Sequence, residues 1–153
     1  MRATKRLVPT AVAITALPLT FACAPKSVAD DSPTAIAALQ AKTDQAKPRD
    51  RCFLYAELVS QMTDLAGKQL SSGEYGEALE SLRLVRRYAD KTLLGVGDNS
   101  RKLKDAEMLM RHTSFRLEDI LHQASYDDRR DLEETLKELY KVQTRLMMQV
   151  FKK

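Results

Sequence analysis

A chain of 153 residues has room for one domain, and 44% hydrophobic with 30% charged residues is a globular balance that excludes the fibrous and disordered classes. The absence of Trp and the 6% aromatic content leave an aliphatic core, and two Cys exclude a disulfide scaffold. The net charge of +4 is no case for nucleic acid, because Arg2, Lys5 and Arg6 supply most of it: from Cys23 onward 22 Lys and Arg face 21 Asp and Glu, a net +1.

The chain opens with these three cations and continues from Leu7 to Pro25 without a charged residue, the pattern of an export signal. Leu19-Thr20-Phe21-Ala22-Cys23 resembles the lipobox of bacterial lipoproteins, with a small residue before a Cys that receives lipid. That resemblance implies a signal peptide over 1–22, a lipid-modified Cys23, and a place in the bacterial cell envelope with the membrane reached through the anchor. The alternative cut follows Ser27-Val28-Ala29, a small-x-small site, and leaves a soluble exported protein. Residues 23–48, rich in Ala, Asp, Ser, Thr, Lys and Pro, read as a flexible linker. Within it Ser32-Pro33 offers an N-cap and a first-turn Pro for a short, weakly packed helix to residue 46.

All five Pro precede residue 49, so the rest is free to form long helices. A first seam, Cys52, Tyr55, Val59, Met62, Ala66 and Leu70, predicts a helix over 50–71 that Gly73 ends. Tyr75, Ala78, Leu82, Val85 and Ala89 predict a helix over 74–94, broken by Gly95-Val96-Gly97. Capped at 98–100, a third helix carries Leu103, Ala106, Met110, Thr113, Leu117 and Ile120. Ser125-Tyr126-Asp127-Asp128 closes it and opens a fourth with Leu132, Leu136, Leu139, Val142, Leu146 and Val150. Four apolar stripes joined by short connections predict an all-α, antiparallel up-down four-helix bundle over 49–153.

Two local resemblances lie inside this region. Gly73-Glu74-Tyr75-Gly76-Glu77-Ala78 resembles the helical turn of tetratricopeptide repeats, with Ala66 and Leu82 in agreeing places and Asp90 where that repeat has Pro. It implies a tight helical hairpin, or a degenerate repeat adaptor. Lys102-Leu103-Lys104-Asp105-Ala106-Glu107, followed by Arg116-Leu117-Glu118-Asp119, resembles a family of uncharacterised exported bacterial proteins and implies no activity.

Residues that carry chemistry are sparse. His112 and His122 stand ten positions apart, about 15 Å along a helix, too far to share one metal. Asp119 and His122 make half of a di-iron motif whose other half is missing. Cys52 stands on an apolar seam without a nearby base, so it reads as a core residue rather than a nucleophile. The expectation is no cofactor, no metal and no catalysis. What stands out is charge: Arg83, Arg86, Arg87 and Lys91 late in one helix, and Arg101, Lys102 and Lys104 at the start of the next. Cations opening a helix oppose its dipole, which suggests an anionic partner: lipid headgroups, a cell-wall polymer or an acidic protein face. The expected role is a non-catalytic interaction or structural module of the envelope, of open oligomeric state. Alternatives are a periplasmic ligand-binding or stress-sensing protein, or a small helical-bundle lyase or mutase with inward Arg and Lys.

Overall fold

The computed structural model describes residues 32–97 and 101–152. Five helices and no strand occur among them: α1 (Pro33–Gln45), α2 (Pro48–Ser71), α3 (Tyr75–Leu94), α4 (Leu103–Gln123) and α5 (Tyr126–Phe151). The segment read as an export signal, with the lipobox-like stretch and Cys23, lies outside the described residues.

Local chemistry sets the boundaries. The Ser32 hydroxyl accepts from the Ala35 N–H, and Pro33 takes the first turn of α1, where its missing N–H costs nothing. Pro48 then starts α2, with only Ala46 and Lys47 between it and the end of α1. At the far end Gly73, at φ +78°, lets the Glu74 and Gly73 N–H groups donate back to the Gln69 and Leu70 carbonyls, 2.8 and 3.1 Å away. These are the two bonds of a Schellman close, and they turn the chain directly into α3.

The helices pack as two hairpins laid on each other. α2 runs against α3, and α4 against α5. Across the layers α2 lies beside α4 and runs the same way: the Arg101 N–H donates to the Arg49 carbonyl at one end, and Arg116 reaches Asp64 further along. α3 lies beside α5, also in parallel, with Arg86 against Asp131 and Thr135. The sequence expects neighbours at each connection, but α3 and α4 do not pack on one another. The Arg101 N–H, held by the Arg49 carbonyl at the start of α2, sets where α4 begins, so α4 packs on a face of α2 that α3 does not cover.

α2 is therefore buried nearly all round. Besides the expected seam, Leu54, Ala56, Leu58, Ser60 and Thr63 are enclosed, because α1 and α4 cover two further faces. The approach of α4 depends on Gly67, where a Cβ would stand 2.8 Å from Ile120 Cδ1. α1 occupies the place where Ser32-Pro33 offers a short helix, with Ile36 and Thr43 buried and Ile36 joining the core. Its Gln40 amide donates to the Tyr88 hydroxyl at 2.9 Å.

Thr113 is not alone among polar groups on the seams, since Thr43, Thr63, Thr92, Ser114 and Thr135 are also fully enclosed. Each hydroxyl donates to the carbonyl four residues earlier, at 2.7–3.0 Å. Satisfied within its own helix, such a group presents a methyl or methylene to the core.

Candidate functional site

The helix directions gather charge at the two ends. At one end lie the starts of α2 and α4 and the last turns of α3 and α5. Segments 47–51, 87–95, 101–107 and 141–152 hold 11 Lys and Arg against 4 Asp and Glu. Segments 68–80 and 118–134, at the opposite end, hold 3 against 10. The near-neutral net charge conceals this separation.

The structure divides the seven predicted patch residues. Arg87, Lys91, Arg101, Lys102 and Lys104 belong to the basic end. Arg83 and Arg86 lie a turn or more back along α3. Arg83 pairs with Glu80, and Arg86 is held between helices by Asp131 and Glu134, 3.9 and 3.7 Å away, and by the Thr135 hydroxyl at 2.9 Å. Arg86 is thus a cation held within the fold, whereas Arg83 is an exposed partner of Glu80. Lys91 covers the stacked rings of Tyr55 and Tyr88, its Nζ 5.7 and 5.0 Å from their centres.

Arg101 and Lys102 line a cavity of about 390 Å³ with Lys42, Lys47, Asp50, Phe53 and Glu57. Lys42 comes from the last turn of α1, Lys47 from the α1–α2 turn, and the other two cations from the approach to α4. Among the described residues none of these four side chains closes a salt bridge. Lys102 holds φ +55°, a left-handed backbone that a residue with a Cβ adopts at a cost, and its Nζ lies 4.5 Å from the Phe53 ring centre. Asp50 leans on Arg49 at 3.8 Å. Burial pushes the Glu57 carboxyl above the ordinary range, against the pull of Lys42 and Lys102. Neither α2 nor α4 has a side chain capping its N-terminus, so first-turn N–H groups add to the positive field. Lys42 and Lys47 were hidden by reading 23–48 as linker. The signal that finds them is the pair Ser32-Pro33 and Pro48, which brackets a helix and folds it back on α2.

Cys52 is fully enclosed, and burial pushes its thiol up to about 12, which keeps it protonated and inert at neutral pH. His112 and His122 are exposed on α4, and no group of three potential metal ligands occurs among the described residues. No described helix is long and apolar enough to cross a membrane. Comparison with known proteins returns no family model, no curated protein and no solved structure that matches the chain.

Proposed function

We propose that the chain is a non-catalytic interaction module of the bacterial envelope, tethered through a lipid-modified Cys23, with α2–α5 as its four-helix body and its basic end turned to an anionic surface. The observation that carries the binding half is the separation of charge between the ends. The tether half rests on the lipobox resemblance. The two halves are compatible in reach: the nine residues from Cys23 to Ser32 extend up to about 30 Å, against about 20 Å for the 13 residues of α1.

Co-sedimentation tests the binding half. The chain from residue 24 onward, which carries neither the apolar signal nor the lipid, should pellet with vesicles containing phosphatidylglycerol and not with neutral phosphatidylcholine vesicles. Salt should weaken the association, and Arg87→Glu with Lys104→Glu and Lys152→Glu should abolish it. Equal pelleting with both vesicles, or none, removes the reading. For the tether, the mass of the mature N-terminus decides between a lipidated Cys23 and a start at Asp30.

A second reading, as a helical-hairpin adaptor, is favoured by one observation. Met108, Phe115, Tyr140 and Met147 are between 39 and 52% exposed on the α4–α5 hairpin. If that hairpin is the working surface, Phe115→Glu with Met147→Glu should eliminate cross-links to envelope proteins while leaving vesicle binding intact.

A further inference from the structure

We propose that the cavity between the α1–α2 turn and the start of α4 is a binding site for a phosphoryl group, carried by a lipid headgroup or by a free phosphate ester. This rests on the reading of the basic end as the working surface and names what that end grips.

Lys42, Lys47, Arg101 and Lys102 reach the cavity from three separate stretches of chain. Gathering like charges is unfavourable unless something offsets them, and the carboxylates present do so only in part. Asp50 is engaged by Arg49, and Glu57 is the one acid set between Lys42 and Lys102. Four cations against two acids leave the lining at +2, the complement of a phosphate dianion. Arg101 offers a planar fork for two oxygens, and the three ammonium groups adapt to the rest. A cavity of about 390 Å³ exceeds a bare oxyanion and falls in the range of small-ligand sites. Its remaining wall is Ala46, Phe53 and Leu54, an apolar surface for the carbon chain that a phosphate ester carries. Lys102 lays its Nζ 4.5 Å from the Phe53 ring centre, which sets a cation against the apolar wall.

The test uses the chain from residue 24 onward, and three probes: inorganic phosphate, glycerol 3-phosphate, and phosphatidylglycerol vesicles. Amide resonances of 49–51 and 101–104 should shift saturably with the two soluble probes, and glycerol 3-phosphate should displace the chain from vesicles. Lys47→Ala and Arg101→Ala should each weaken binding about tenfold, the loss of one charged hydrogen bond. Glu57→Gln should tighten binding, because it removes a negative charge from the lining. Saturable binding of the soluble probes without vesicle binding keeps the phosphoryl site and removes the surface reading. Vesicle binding that glycerol 3-phosphate does not displace, and that Lys47→Ala and Arg101→Ala leave unchanged, keeps the surface reading and overturns the site. Binding to none of the probes removes both. Weakening by Glu57→Gln, in step with the lysine variant, also overturns the site, since packing and not charge would then be responsible.

Discussion

Gly95 sits at the end of α3 with an ordinary φ of −77°, so it is not there for its backbone freedom. It is there for closeness: a Cβ would lie 3.0 Å from the Cys52 nitrogen and 3.1 Å from its Cα. Those atoms belong to the first turns of α2 and cannot swing aside as a side-chain tip does. Gly95→Ala should therefore cost about 1–3 kcal/mol, read from urea denaturation, as overpacking does. Gly76 is the control, with nothing within 4 Å of its Cβ position. Gly76→Ala should be neutral or stabilise by up to about 1 kcal/mol through helix propensity. A second residue-level effect concerns Asp90 on α3 and Glu138 on α5. Desolvation, then hydrogen bonding with and repulsion by Glu138, raise the Asp90 pKa. Glu138 is raised by burial but carried below its ordinary range by Lys141, Asp90 and Arg145. A raised carboxyl contributes stability below its ordinary pKa and loses it as pH rises through the raised value. Asp90→Asn should thus raise the melting temperature at neutral pH, with the difference fading as pH falls below the Asp range.

Periodicity made the four long helices legible, because each carries an apolar stripe and a clear stop. Gly73 with its two back-donated bonds and Ser125 ahead of Asp127 and Asp128 stand where the sequence signals put them. α1 was less visible: its cap residues are plain, yet only Ile36 and Thr43 are buried, a spacing of seven with little between. A stripe that thin carries no periodic signal, although Ile36 enters the core. Ile36→Ala should cost about 2–4 kcal/mol, at the low side of buried Ile truncations, with loss of the Gln40–Tyr88 contact visible in the Tyr88 ring resonances. The second and third faces of α2 were illegible for another reason. Ser60, Thr63 and Asp64 carry no apolar signal in the sequence, and the arrival of α4, with Arg116 bonding Asp64 at 2.6 Å, encloses Ser60 and Thr63 and half-buries Asp64. The candidate site suffered in the same way. Arg101 and Lys102 were legible as cations out of keeping with a helix start, while Lys42 and Lys47 join them only through the fold-back of α1.

For the molecule as a whole, Cys52 is a built-in reporter. Fully enclosed, with its thiol at about 12, it should resist dithionitrobenzoate in the native state and react only through unfolding, its rate rising with urea in step with the unfolded fraction. The central position of α2 has a consequence in time as well as in space. It touches α1, α3 and α4, whereas α1 packs on α2 and reaches α3 through the Gln40–Tyr88 hydrogen bond. Amide hydrogens of α2 can meet solvent deuterium only when the body of the protein opens, so they should exchange last. Those of α1 need only a local detachment and should exchange early. Because Lys42 and Lys47 ride on that early-opening piece, a ligand held by them should slow α1 exchange selectively and leave the α2 rates nearly where they were. The chain would then carry its own clock for occupancy: a fast-ticking outer helix that slows when the pocket is filled.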